Sequence, residues 1–268
     1  MCIFHCQEGG AAVRRYTGKK RDPRRWAALD NLRGLTLLSM IAYHACWDMV
    51  WIFGADWSWY RSAAAYAWQQ SICWTFILLS GFCWPMGSRP LRRGLEVFGG
   101  GVLVTAATLL FMPPNRIVFG VLTLLGTCML VMIPLERGLR HVPSWAGLAG
   151  SGLLFVLLRN VNGGFLGFEG LRFLALPSWL YRNLATAFLG FPPGDFYSTD
   201  YFPMLPWFFL FLTGYFFNRL WRDHRRIPAG GNRIPLLSAL GRCSLPVYLL
   251  HQPVVYGILW TVLWLKGV

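Results

Sequence analysis

The sequence predicts an all-α integral membrane protein: a polytopic bundle of about seven transmembrane helices, with one interfacial or re-entrant helix besides. Three observations predict it. Of the 268 residues, 55% are hydrophobic and 13% charged, against about a quarter charged in a soluble domain of this size. The apolar residues fall in blocks of roughly 18 or more, enough to cross a hydrocarbon core of about 30 Å. The basic residues collect at alternate ends of those blocks. Arg14, Arg15, Lys19, Lys20, Arg21, Arg24 and Arg25 crowd the start, and Arg89, Arg92 and Arg93 follow the second block. Arg137 and Arg140 follow the fourth, and Arg219, Arg222, Arg225, Arg226 and Arg233 precede the last. This is the positive-inside asymmetry. The formal net charge of +14 therefore reports topology, with the N-terminus in the cytosol and the chain in the cell membrane. It argues against nucleic acid, because no soluble domain is left to bind it.

Residues 1–25 are a basic cytosolic tail, expected to be disordered, and 26–268 a single transmembrane domain. The first span runs from Gly34 to Phe53, entered through the amphipathic stretch Trp26 to Arg33. The Trp-rich segment Gly54 to Arg61 suits the outer interface, where aromatic rings settle. The second span covers Ala63 to Met86 and the third Gly94 to Phe111. Pro113-Pro114-Asn115 then makes a tight outer turn, since successive prolines stop a helix. The fourth span covers Ile117 to Ile133 and the fifth Trp145 to Leu158. From Arg159 to Pro203 the glycines and the run Pro192-Pro193-Gly194-Asp195 read as an outer loop with one helix in the interface. A further full span there ranks second, because it would disturb the charge alternation. The sixth span covers Met204 to Trp221 and the seventh Ser244 to Leu265, after a basic cytosolic loop.

The seven cysteines form no CxxC pair and mostly sit inside apolar segments. They read as small packing residues, and no metal is expected. The chemistry should instead lie with ionisable groups inside the spans, each costing about 2.5–3.5 kcal/mol at the bilayer centre on insertion scales. His44 lies ten residues past Gly34, about 15 Å into the first span. Asp48 follows at i+4 on the same face. A carboxylate there can accept from one imidazole nitrogen and leave the other as a base. His251 lies in the last span, positioned to line the same cavity. At the cytosolic entry Asp30 and Arg33 are spaced i, i+3, and Arg242 sits at the same level before the last span. Those arginines suit phosphate, although, taken alone, headgroup anchoring and an intrahelical ion pair explain them more simply.

The segment Leu29-Asp30-Asn31-Leu32-Arg33-Gly34 leading to Met40 and His44 resembles the opening of the heparan-α-glucosaminide N-acetyltransferase catalytic-domain family, within the broader transmembrane acyltransferases. Four further segments follow in order: Leu79-Ser80-Gly81-Phe82; Phe119-Gly120-Val121-Leu122; Phe202 to Trp207 with Gly214; and Gly241 to His251. The resemblance implies a helical membrane enzyme taking an acyl group from cytosolic acetyl-CoA or another acyl-CoA. The acceptor would be a sugar or other amine or hydroxyl, reached across the bilayer. It also implies a histidine as acid–base or acyl-carrying residue. Animal lysosomal members carry that histidine in the loop after the first span, whereas Gly54 to Ser62 holds none here. His44 is the nearest candidate, as in bacterial members.

The reading is then an acyltransferase with His44 as general base held by Asp48. Arg33, Arg242 and Asp30 would stand at the donor's mouth, and His251 would line the cavity. Direct transfer and a two-step route through acetyl-His44 both fit. The expected partners are the lipid bilayer and a carbohydrate or other small acceptor, and the sequence also admits a homo-oligomer. The alternatives are a permease or proton-coupled transporter using His44 and Asp48 as a relay, and a silent scaffold.

Overall fold

The computed structural model describes residues 24–224 and 234–267. The basic tail lies outside them as far as residue 23, as do Arg225, Arg226 and Arg233, which precede the last helices. The described chain is mostly helical. It contains α1 (Arg24–Trp51), α2 (Ala63–Cys83), α3 (Pro90–Phe111), α4 (Val121–Leu139) and α5 (Ser144–Leu158). A hairpin of β1 (Phe165–Phe168) and β2 (Leu171–Ala175) follows, then α6 (Leu184–Leu189), α7 (Met204–His224), α8 (Pro235–Arg242) and α9 (Ser244–Lys266).

Among the described residues, four helices are long and apolar enough to cross a membrane: α3, α4, α9 and the run Ser144–Gly163 that contains α5. The helices α1, α2 and α7 have 28, 21 and 21 residues, which is span length. Their apolar runs are diluted by groups turned inward, such as Asp48 in α1 and Asn218 in α7, neither of which is exposed at all.

The chain divides into two compact units. The first comprises the residues up to Phe76 together with Arg226–Val268, and the second comprises Ile77–Arg225. In the first, α1 packs on α8 and α9. The approach is backbone on backbone. A side chain at Gly34 would collide with the Leu237 carbonyl, and one at Gly241 with the Asp30 carbonyl. Small residues allow that closeness between membrane helices. Asn31 Oδ1 ties the same crossing by accepting from Ser238 Oγ at 2.6 Å and from the Ile234 amide at 3.3 Å. The sequence reading took the segment before Ser244 as loop. Pro at the first turn and the seam against α1 make Pro235–Arg242 a helix instead.

In the second unit α3 pairs with α4 and α5 with α7. Helix ends there are tied by side chains. Arg219 Nη1 donates to the Leu139 carbonyl at 2.7 Å and Nη2 to the Arg140 carbonyl at 3.2 Å, satisfying the orphan end of α4. Ser144 Oγ, opening α5, donates to Asp223 Oδ2 at 2.6 Å. At the other end of α4, the Val121 amide donates to Asp200 Oδ2 at 3.4 Å. Burial pushes the Asp200 carboxyl up to about 6, against the lowering effect of that amide.

The fourth span was expected from Ile117, but α4 starts at Val121. The preceding residues are held by the 198–202 segment: the Val118 amide donates to Ser198 Oγ, and the Phe202 amide to the Phe119 carbonyl. The stretch Arg159 to Pro203 holds the hairpin and the six-residue α6, with no span-length helix. The one helix expected there is present as the short α6, and a two-stranded hairpin that the sequence does not signal accompanies it. The strands take Phe165–Phe168 and Leu171–Ala175, and Gly190 ends α6.

Candidate active site

The site is built from one face of α1 and one face of α9. Leu37, Met40, His44 and Asp48 recur at three- and four-residue steps, which places them on one side of α1. Leu37 and Met40 are buried among Trp68, Ile72 and Phe76 of α2, Leu240 of α8, and Val247 and Tyr248 of α9. Trp68 Nε1 donates to Ser39 Oγ at 2.8 Å, fixing α2 against α1. One turn further on, the apolar contacts give way to polar ones.

There Asp48, which is 0% exposed, meets α9. Its Oδ1 accepts from Gln252 Nε2 at 2.5 Å. The donor expected for Asp48 was His44, one turn back on the same helix. The structure assigns the bond to Gln252 across the helix pair. His44 instead packs its ring edge-on against His251, with centroids 4.9 Å apart. His251 is 8% exposed, whereas His44 is half-buried. The Nδ1 of His251 lies 2.5 Å from the Tyr248 carbonyl. A carbonyl only accepts, so Nδ1 carries the hydrogen and Nε2 keeps its lone pair.

Three buried atoms here have no hydrogen-bond partner: Asp48 Oδ2, His251 Nε2 and Gln252 Oε1. With the tautomer and amide orientation just given, all three are acceptors. Leaving such groups unpaired costs about 1–3 kcal/mol each, so the cluster suits a guest that brings N–H or O–H groups.

The wall beyond is aromatic. Tyr43 lies 5.2 Å from Tyr60 and 5.2 Å from Trp68, and Tyr60 Oη donates to the Tyr43 carbonyl at 3.2 Å. Tyr60 stands in the one-turn helix after α1. Burial pushes its phenol far above the usual value, which keeps it a donor.

At the other end, Arg33 Nη1 meets Asp30 Oδ1 at 3.4 Å, both side chains about one-fifth exposed. Arg242 ends α8 one residue past Gly241, whose backbone packs on Asp30. Asp30, Arg33 and Arg242 therefore gather where α1 and α8 meet. Along α1, Arg33 precedes His44 by about 16 Å, so these groups stand apart from the histidine cluster. Among the described residues no group of three or more His, Cys, Asp or Glu side chains could hold a metal ion.

Sequence reasoning named His44, Asp48 and His251 but missed Gln252. A neutral amide is not an ionisable group, though its place beside His251 inside an apolar run was a usable signal.

Span-length apolar helices and a buried polar cluster define the class of helical membrane proteins. The chain belongs to the family described as heparan-alpha-glucosaminide N-acetyltransferase, catalytic, which it matches over residues 25–253. The matched stretch contains every residue of the cluster and places the chain among membrane acetyltransferases. No curated protein and no solved structure matches it.

Proposed function

We propose that this protein moves an acetyl group from cytosolic acetyl-CoA to an amine or hydroxyl of a sugar-like acceptor, across the bilayer. The observation that supports it is the cluster of His44, Asp48 and His251, with acceptor atoms open in the interior. An acceptor amine or alcohol supplies the missing donors. Its N–H or O–H meets Asp48 Oδ2 and the imidazole pair, which orients its lone pair toward the thioester. The nucleophile–carbon bond forms and the carbon–sulfur bond breaks. The nucleophile's proton passes to imidazole and then to the leaving thiolate, so nothing is consumed but donor and acceptor. His44, the more exposed ring, meets the acceptor first, and His251 Nε2 is the second base behind it. Positioned base catalysis of this kind is worth about 10²–10⁴-fold.

Arg33 and Arg242 stand where the phosphates of a cytosolic donor would arrive, a role guanidinium suits through its fixed fork of donors. This reading takes α1, α2 and α7 as spans besides the four most apolar helices. It places seven spans in the plasma membrane with the N-terminus in the cytosol.

The test uses protein reconstituted in vesicles, with acetyl-CoA as donor and glucosamine as the amino-sugar probe. CoA release with acetylation of the probe is expected. His44→Ala should cut turnover by about 10²–10⁴-fold while acetyl-CoA binding, measured by calorimetry, is retained. Arg33→Ala and Arg242→Ala should weaken that binding. Probe movement across the vesicle wall without any donor would sink the reading in favour of a permease.

A further inference from the structure

We propose that Gln252 is a positioning residue that acts through Asp48, holding one carboxylate oxygen so that the other stays open to the acceptor. The proposal rests on the acetyltransferase reading above and adds a residue to it.

Asp48 sits on α1 with no exposure to solvent. A carboxylate so placed has two oxygens and needs donors for both. The hydrogen bond that reaches it comes from the other helix, Gln252 Nε2 to Oδ1 at 2.5 Å. With Oδ1 occupied, Oδ2 is left buried and unpartnered. An amide is suited to this task because it donates through one end only. Its own Oε1 is left buried without a partner, an open acceptor beside those of Asp48 and His251. Gln252 also follows His251 directly in the chain. Its bond to α1 therefore fixes the register of α9 at the residue whose Nε2 is open. One cross-helix bond sets both the carboxylate that receives the acceptor and the second imidazole, behind His44.

The same geometry could serve only to glue two helices, and the test separates the two roles. Gln252→Glu keeps the shape but offers an acceptor to a carboxylate, whereas Gln252→Ala removes the contact. Both are measured in vesicles with acetyl-CoA and glucosamine, alongside thermal unfolding and acetyl-CoA binding by calorimetry. The expected result is a fall in kcat of about 10–100-fold for each at neutral pH, the loss of one hydrogen bond to a charged group. The KM for acetyl-CoA should be unchanged. Turnover by Gln252→Glu should recover as the pH is lowered, because the protonated acid regains a donor, and Gln252→Ala should show no such recovery. On an Asp48→Asn background, Gln252→Ala should add little, since residues acting through one another are not additive.

Wild-type turnover by Gln252→Ala, or a loss confined to unfolding temperature with kcat intact, would overturn the proposal. So would full activity of Gln252→Glu at neutral pH. Should the alanine variant not fold, the isosteric Gln252→Glu carries the test alone. Absence of transfer by the wild type is a separate outcome. It overturns the acetyltransferase reading, and this proposal with it.

Discussion

The two compact units arrange their buried polar groups differently. In the second unit, Arg219 covers the carbonyls at the end of α4, Ser144 donates to Asp223, and the Val121 amide meets Asp200. Each of these bonds closes a helix end. Unbonded buried atoms occur in this unit too, but dispersed along the chain, as at Asn218, with Nδ2 on Met86 Sδ at 3.1 Å and Oδ1 without a partner. In the first unit, by contrast, one hydrogen bond joins Asp48 to Gln252 and leaves three acceptor atoms open within a few residues. Polar groups that only hold a fold are expected to be satisfied. A cluster of open acceptors marks a place completed by something else.

If that contrast is right, substitutions in the two units should separate activity from stability. The largest effect belongs to the first unit. Asp48→Ala should reduce kcat by about 10²-fold or more with the unfolding temperature lowered little, because loss of the buried carboxylate's own desolvation cost offsets the acceptor that Gln252 loses. A collapse in stability with residual activity intact would break the comparison. Next comes Arg219→Ala in the second unit, which strips two carbonyl partners and should cost about 1–3 kcal/mol of stability. Its kcat per folded molecule should equal that of the wild type, checked by thermal unfolding beside the transfer assay.

Asp200 gives a pH test of the second unit. Its carboxyl is raised to about 6 by burial, so the folded state holds the proton more tightly than the unfolded chain. Its contribution is full below the ordinary carboxylate value and is lost as the pH rises through about 6. Wild-type unfolding temperature should therefore fall between pH 4.5 and 7 relative to Asp200→Asn, a gap of about 1–3 kcal/mol at the upper end. Parallel curves for the two proteins would show that Asp200 is solvated. The smallest effect is expected at Arg92, whose pair with Glu96 at 2.8 Å is largely exposed on the arginine side. Arg92→Ala should change stability by under about 0.5 kcal/mol and leave turnover untouched.

The legible part of this protein was the part governed by long-range apolarity. The third, fifth, sixth and seventh spans were placed within a few residues of α3, α5, α7 and α9, because runs of that length have few other uses. The hairpin was not legible. Strands of four and five residues carry little periodicity, and β2 is exposed throughout, so no apolar–polar alternation marks it. The helix α8 was hidden because its packing depends on Gly34 and Gly241, over 200 positions apart in the chain. At the site, i+4 spacing correctly put His44 and Asp48 on one face. Which group bonds to Asp48 is a fact about two helices, and spacing within one helix cannot supply it.

Of the residues in α9, Leu245, His251 and Val255 are buried, while Leu250, Val254, Ile258, Trp260, Trp264 and Leu265 stand outward. Half of the polar cluster is thus carried by a helix buried along a narrow strip, whose remaining surface is apolar and exposed. Hydrophobic mismatch acts on such a helix first, tilting or sliding it as the membrane thins or thickens. A slide of one helical residue, about 1.5 Å, is enough to pull the amide of Gln252 off Asp48. Membrane thickness therefore becomes an input to this cluster, and turnover should peak at one lipid chain length when the protein is reconstituted across a series of them.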